Sequence, residues 1–186
     1  MIVHRISVLA SLTLAAITLP VQSQSDDGIG QTVVGKAEVL GPDMIGVNQQ
    51  LVFLFGVDAP EERQPCADEH GRAWNCAVSA GKTLLDLVGD FDVTCVRMAP
   101  DWRRNMYGVC TANNKIINEE MIRAGMAMMI REETLDYEAA ENEARNAPRG
   151  LWRGLFEEPW RYRRRVADSG LPLRRPARVS GPVSTR

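Results

Sequence analysis

Residues 53–61 read Phe-Leu-Phe-Gly-Val-Asp-Ala-Pro-Glu, an apolar run that leads directly into two carboxylates, Asp58 and Glu61. Phenylalanine and valine favour a pleated strand, whereas Pro60 has no backbone N–H and fixes φ, so a strand has to end before it. The segment therefore predicts a strand that ends in a turn carrying two acidic side chains. The simplest interpretation of Asp58 is that it caps this turn, as aspartate commonly does.

The rest of the chain shows patterns of a small α+β domain. Alternating or β-branched residues predict strands over 33–40, 44–47, 51–55, 93–96 and 107–111, with a short extension over 115–117. Helical spacing predicts helices over 75–88 and 135–147, and Asn118 before two glutamates predicts the capped start of a short helix that ends at Gly125. Five strands with helices after the third and the fifth predict a five-stranded OB-type β-barrel with about three helices.

The two ends of the chain differ from its middle in composition. Residues 1–23 combine a basic start, a short apolar run and a small-residue exit, which predicts a signal peptide. We assign residues 24–32 to a flexible lead-in, 33–160 to the folded domain and 161–186 to a disordered tail rich in Arg and Pro. The apolar run is too short to span a bilayer comfortably, so we expect a periplasmic or secreted protein with no transmembrane segment after signal removal.

Charge is divided unevenly along the chain. Residues 24–159 carry 13 Lys and Arg against 23 Asp and Glu, whereas residues 160–186 carry eight Arg against one Asp. An acidic body repels a phosphodiester polymer, because such polymers bind basic surfaces by releasing counterions. We expect weak nucleic-acid binding at most, through the Arg-rich tail, and the sequence leaves the physiological partner unknown.

Four cysteines in an exported chain predict two disulfides. A zinc site is disfavoured, because the spacings are not C-x-x-C and only His4 and His70 are available as imidazole ligands. Three connectivities are possible in principle.

Three features in order resemble the staphylococcal-nuclease-like (thermonuclease) family: residues 41–44 (Gly-Pro-Asp-Met), the segment 53–61, and the cysteines that follow. The resemblance implies an OB-type barrel with disulfides Cys66–Cys76 and Cys95–Cys110. It also implies hydrolysis of phosphodiesters with Ca²⁺, in which Asp43 and Asp58 are the cation ligands and Glu61 is the base that activates water. Oxygen ligands of this kind suit a hard cation such as Ca²⁺.

The same resemblance identifies what the chain lacks. The family uses two arginines to stabilise charge on the phosphate, and their positions are occupied here by Phe53 and, counted back from Cys110, by Asn105. A shift of one residue would bring Arg104 into the second position, so Arg104 is kept as a candidate catalytic residue. A transition-state arginine contributes about 10³- to 10⁵-fold in phosphoryl transfer, so the loss of both would remove most of the rate.

Two hypotheses follow. The first is an exported binding or accessory protein with a degenerate nuclease site, for which the rhizobial periplasmic proteins of succinoglycan (exopolysaccharide) biosynthesis are the subgroup to compare. The alternative is an active Ca²⁺-dependent endonuclease that hydrolyses DNA or RNA. The sequence leaves open whether the chain is an enzyme and whether it holds Ca²⁺.

Overall fold

The computed structural model of the protein describes residues 28–99 and 105–170. The predicted signal peptide (1–23), residues 24–27 of the lead-in, Arg104 and residues 171–186 of the predicted tail lie outside the described residues. The strands of the described part are β1 (Thr32–Gly41), β2 (Met44–Val47), β3 (Gln50–Leu54), β4 (Val57–Asp58), β5 (Cys66–Ala67), β6 (Ala73–Trp74), β7 (Asp92–Ala99), β8 (Met106–Ala112), β9 (Lys115–Ile116), β10 (Met128–Met129) and β11 (Leu155–Phe156). Its helices are α1 (Cys76–Val88), α2 (Ile117–Arg123), α3 (Glu138–Asn146) and α4 (Pro159–Asp168), with a 3-10 helix at Gly150–Arg153.

Five longer strands close into a mixed barrel. Strand β1 pairs antiparallel with β2 and β7, β2 with β3, and β7 with β8. A parallel contact between β3 and β8 closes the ring. Residues alternate between buried and partly exposed along β2 and β8, so that Ile45, Val52 and Met106 point into the core together with Leu84 of α1. The structure confirms the predicted α+β fold with an OB-type barrel.

The β2–β3 hairpin brings the start of β2 and the end of β3 to the same side of the barrel. Asn48 and Gln49 have positive φ angles of 49° and 67°, as a two-residue hairpin turn requires. At the other end of the hairpin, the Leu54 N–H donates to the Asp43 carbonyl at 2.9 Å. The β1–β2 turn therefore lies beside the end of β3, from which Asp58 follows four residues later.

Both disulfides predicted from the family resemblance are confirmed. Cys66 bonds Cys76, and Cys95 bonds Cys110 directly across the β7–β8 pair. The first disulfide joins β5 to the start of α1, whose N-terminus is capped by the Asn75 side chain through the Val78 N–H at 3.1 Å.

Asn118 does not cap helix α2, so this sequence prediction is wrong. The helix begins at Ile117, and the fully buried Asn118 amide serves the barrel instead. Its Oδ1 accepts from the Cys110 N–H at 2.9 Å, and its Nδ2 donates to the carbonyls of Phe55 and Gly108 at 2.9 and 3.0 Å. Local capping preference gives way here to hydrogen bonds with three backbone groups of the barrel, of which the Gly108 carbonyl also accepts from the Phe55 N–H at 2.9 Å.

Helix α4 occupies the start of the segment for which the sequence predicts a disordered tail, so that prediction is wrong for residues 161–168. Pro159 stands in the first turn, where its fixed φ suits a helix and its missing N–H is not needed. Pro159 and Val166 are the buried residues of this helix, and the remainder of its surface is largely arginine. None of the helices within the described ranges is long and apolar enough to cross a membrane.

Candidate functional site

A cleft of about 560 Å³ opens where the β1–β2 turn meets the ends of β3 and β4. Asp43 comes from the β1–β2 turn, Asp58 ends β4, and Glu61 lies in the turn that follows. The structure therefore brings together the three acidic side chains that the family resemblance selects. Their roles as cation ligands and base stay predictions.

Glu61 is held in place by a buried glutamine. Gln64 Oε1 accepts from the Glu61 N–H at 3.1 Å, and Gln64 Nε2 donates to the Glu157 carbonyl at 2.7 Å. Gln64 is buried, so these bonds tie the turn after β4 to the segment immediately before α4. Sequence reasoning missed this residue, because its partner lies 93 positions away.

Asp43 forms no ion pair among the described residues, whereas Asp58 and Glu61 both pair with Arg163. Asp43 Oδ2 accepts one hydrogen bond, from the Ala59 N–H, at a long distance of 3.4 Å. Burial, followed by the negative charges of Glu61 and Asp58, raises the pKa of Asp43 from 3.8 to about 7. The cleft thus concentrates more negative charge than the protein around it neutralises.

Arg163 of helix α4 enters this cleft. Its Nη1 donates to Asp58 Oδ1 at 2.6 Å and to Glu61 Oε1 at 2.8 Å, so one guanidinium nitrogen bridges two carboxylates. Burial disfavours the charged guanidinium, but the two hydrogen bonds and the charges of Asp58 and Glu61 outweigh it and hold the pKa of Arg163 above its ordinary value. Among the described residues that line the cleft, Arg163 is the basic one.

Sequence reasoning missed Arg163 because it lies in the segment assigned to the tail. Its ion-pair partners are more than 100 positions away, beyond the reach of any local pattern. The available signals were a helix start at Pro159 and the three-residue spacing of Glu158 and Arg161, which form an ion pair at 2.7 Å.

The first arginine position of the family is aromatic in this chain. Phe53 of β3 lies opposite Tyr107 of β8, and their rings stack with centroids 5.4 Å apart and planes 22° apart. Both rings line the cleft. The wall that would carry a guanidinium in the family therefore carries an apolar surface.

The second arginine position, Asn105, also lines the cleft. Its backbone carbonyl accepts a hydrogen bond from Arg97 Nη1 at 2.9 Å. Arg104, the alternative for this position, lies outside the described residues, so its candidacy remains a prediction.

The arrangement of the described residues does not fit the Ca²⁺ on which the family generally depends. Two of the three carboxylates are engaged by Arg163. Within residues 28–99 and 105–170, no group of three or more His, Cys, Asp or Glu side chains is arranged to hold a metal ion. Pro42 and Met44 beside Asp43 add no side-chain oxygen, which a hard cation would prefer.

Comparison with known proteins agrees with this geometry. Residues 51–154 match the family described as Staphylococcal nuclease homologue. The succinoglycan biosynthesis protein ExoI of Rhizobium meliloti (strain 1021) is 28% identical over 156 residues, which cover 82% of each chain. A probable staphylococcal-like nuclease, CAN2, of Oryza sativa subsp. japonica is 32% identical over 125 residues, 66% of this chain and 31% of that protein. An uncharacterized endonuclease of Escherichia coli O157:H7 is 31% identical over 119 residues, 61% of this chain and 71% of that protein. Because the family match spans more than half of the chain, the protein belongs to the staphylococcal nuclease homologue family.

Proposed function

We propose that this protein is an exported member of the family that acts as a binding or accessory protein and has little or no phosphodiesterase activity. The observation that carries the proposal is the stacked pair of Phe53 and Tyr107, which occupies the wall of the cleft where the family has its first arginine. A phenyl ring offers no hydrogen bond and no positive charge to a phosphate oxygen.

The transition-state stabilisation lost with the two arginines is larger than the other residues of the cleft can replace. Each transition-state arginine corresponds to about 4 to 7 kcal/mol of stabilisation in phosphoryl transfer. Arg163 is a poor replacement, because its Nη1 is engaged by Asp58 and Glu61 and its charge is neutralised by theirs. Its hydrogen bond also occupies Glu61 Oε1, one of the two oxygens with which Glu61 could accept a proton from water.

The surroundings of the cleft favour a ligand other than a polyanion. Its lining includes the acidic residues Asp43, Asp58, Glu61, Glu62 and Glu133 against Arg163 as the basic residue of the described lining. A phosphodiester strand would meet net negative charge on this surface and be repelled. Contact with nucleic acid would then fall to the basic C-terminal end of the chain.

Two further observations support export of the protein and a role in exopolysaccharide biosynthesis. The two disulfides are typical of proteins that fold in an oxidising compartment, which supports a periplasmic or extracellular location. Similarity to ExoI over 82% of both chains supports an accessory role in exopolysaccharide biosynthesis.

The alternative function is a Ca²⁺-dependent endonuclease. It is favoured by the convergence of Asp43, Asp58 and Glu61 in one cleft and by the nuclease names of two relatives. In that case Arg104, or another arginine outside the described residues, would have to supply the missing charge.

One assay separates the two functions. The full chain is incubated with single-stranded DNA and with RNA in millimolar Ca²⁺, beside a Glu61→Ala variant as the control. We expect no cleavage above the level of the control. Robust cleavage that is lost in Glu61→Ala would refute the proposal and establish the endonuclease.

A further inference from the structure

A second pocket, of about 490 Å³, lies beside the carboxylate cleft and is lined by residues of β10, α3 and α4. Met128, Met129 and Ile130 give this pocket an apolar part. Trp160 and Arg164 form a wall of it from helix α4. The family match ends at residue 154, before α4 begins, so this wall does not belong to the matched region.

Trp160 presents an aromatic surface to solvent at this wall. Its side chain is 42% exposed, whereas Trp74 and Trp152 are both partly buried. The guanidinium carbons of Arg161 and Arg164 lie 5.1 and 5.4 Å from the centroid of the Trp160 ring. A large apolar ring beside positive charge suits a ligand that has both a flat C–H face and a negative group.

Two further arginines of the pocket are fixed by one buried carboxylate. Glu141 is 1% exposed, and its Oε2 accepts from Arg131 Nη2 and from Arg145 Nη2, each at 3.1 Å. Arg131 also pairs with Glu138 at the surface, and Arg145 lies over the Trp152 ring, 4.0 Å from its centroid. Both guanidiniums are therefore held in place before a ligand arrives, and each keeps N–H groups that donate to no acceptor within the described residues.

The charges of the pocket differ from those of the carboxylate cleft. Three carboxylates of its described lining, Asp58, Glu141 and Glu158, are paired with arginines. Glu132 is exposed and Arg164 is exposed, and within residues 28–99 and 105–170 neither forms an ion pair. The pocket thus offers one guanidinium for a negative group and one carboxylate as an acceptor for hydroxyl groups.

We propose that this pocket binds a saccharide that carries a carboxylate, with a sugar ring against Trp160 and the carboxylate on the guanidinium of Arg164. A guanidinium binds a carboxylate through two parallel hydrogen bonds, and an indole face covers the C–H face of a sugar ring. Arg131 and Arg145 supply donors, and Glu132 an acceptor, for the ring hydroxyls. The site is separate from the cleft, whereas the choice of a saccharide as ligand rests on the proposed accessory role in exopolysaccharide biosynthesis.

A single-stranded nucleic acid could also stack on an exposed tryptophan, but the charge of the protein favours the saccharide. A nucleic-acid strand carries a phosphate at every nucleotide, and residues 24–159 carry 13 Lys and Arg against 23 Asp and Glu. The strand would also pass the acidic lining of the neighbouring cleft. A saccharide with carboxylates on some of its units places negative charge at the arginines and neutral hydroxyls elsewhere.

The test uses trigalacturonate as the carboxylate-bearing probe and its methyl ester as a neutral probe with the same rings. Isothermal titration calorimetry compares the full chain with Arg164→Gln and with Trp160→Ala. Arg153→Gln is the matched control for the arginine, because Arg153 lies over Trp74, 4.3 Å from the ring centroid, and is not part of the pocket lining. Leu155→Ala is the control for the tryptophan, because Leu155 is an exposed apolar residue that also lies outside this lining.

We expect the unaltered protein to bind trigalacturonate about 10-fold more tightly than the methyl ester, because a hydrogen-bonded ion pair is lost with the charge. Arg164→Gln should weaken binding of trigalacturonate by about 10-fold and leave binding of the ester nearly unchanged. Trp160→Ala should weaken binding of both probes, since both have the same ring faces. Both control variants should bind as the unaltered protein does.

The indole N–H signals in a proton–nitrogen correlation spectrum give a second readout. The signal of Trp160 is assigned by its loss in Trp160→Ala. We expect it to shift during the titration with the dissociation constant that calorimetry gives, while the signal of Trp74 stays in place.

The proposal is overturned if trigalacturonate does not bind, if it binds no more tightly than its methyl ester, or if folded Arg164→Gln and Arg153→Gln bind it equally. Binding of a single-stranded oligonucleotide that depends on Trp160 and Arg164, without binding of trigalacturonate, would also overturn it and assign the pocket to nucleic acid. Cleavage of DNA in the assay with Glu61→Ala would refute the proposed function, and this titration would still report whether the pocket holds a carboxylate-bearing saccharide.

Discussion

Replacing Asp43 by Asn should make the stability of the protein less dependent on pH. The pKa of Asp43 is about 7 in the folded protein and 3.8 as its ordinary value, because burial and the neighbouring carboxylates disfavour its charge. Between these two values the folded state binds more protons than the unfolded chain, so stability falls as pH rises from about 4 to about 7. A rise of about three units corresponds to about 4 kcal/mol, and partial contact of Asp43 with water reduces our expectation to about 2 kcal/mol.

Urea denaturation at pH 4, 5.5, 7 and 8 measures this effect through the free energy of unfolding. We expect Asp43→Asn to equal the unaltered protein near pH 4 and to exceed it by about 2 kcal/mol at pH 8, since asparagine can keep the Ala59 hydrogen bond without the charge. Asp68→Asn, measured also at pH 2.5, is a control with the opposite pH dependence. Hydrogen bonds from Arg72 and His70 outweigh burial and lower the pKa of Asp68 to about 2, so its contribution is present above pH 4 and lost as pH falls toward 2. A constant difference between Asp43→Asn and the unaltered protein from pH 4 to pH 8 would show that ionisation of Asp43 does not cost the folded state stability.

Three further substitutions test the barrel and the cleft. Asn118→Ala should lower the free energy of unfolding by about 2 to 4 kcal/mol in urea denaturation, because the Cys110 N–H and the Phe55 carbonyl lose their hydrogen bonds to Asn118 and the Gly108 carbonyl keeps only the one from the Phe55 N–H; an effect below about 1 kcal/mol would contradict this. Gly125→Ala should lower the melting temperature by several degrees more than an alanine exchange at an exposed position, because φ is +68° and the added methyl would overlap the Arg149 carbonyl; an unchanged melting temperature would contradict it. Phe53→Arg, compared with Phe53→Leu, should tighten binding of single-stranded DNA and make it more dependent on salt, because both lose the stack on Tyr107 but only the arginine adds charge; equal binding by the two variants would show that charge at this position is not what limits affinity.

The barrel was predictable because its signals are local. Residues 48–50 between two short strand patterns predict the hairpin, whose turn lies at Asn48 and Gln49, and helical spacing predicts α1 to within one residue of its observed start. The family resemblance selected the correct disulfide pairing among three connectivities. It also selected three carboxylates that do meet in one cleft.

The missed features depend on contacts between distant parts of the chain. Asn118 looks like a helix cap locally, but its amide is required by strands that approach it only in the folded barrel. Helix α4 has only two buried residues and many arginines. Its sequence therefore shows no helical spacing of apolar residues, and its composition indicates disorder. Arg163 becomes part of the site only because α4 lies against the barrel, a fact that no motif encodes.

The Arg163 guanidinium, and not a metal ion, is expected to occupy the carboxylate cleft in solution. A crystal structure of the full chain grown with millimolar Ca²⁺ and a nucleoside 3′,5′-bisphosphate tests it most directly. We expect Arg163 Nη1 to contact Asp58 and Glu61, with neither Ca²⁺ nor nucleotide in the cleft. Ca²⁺ coordinated by Asp43 and Asp58, with the nucleotide phosphate bound by arginine side chains beside it, would instead show that the cleft is a working nuclease site.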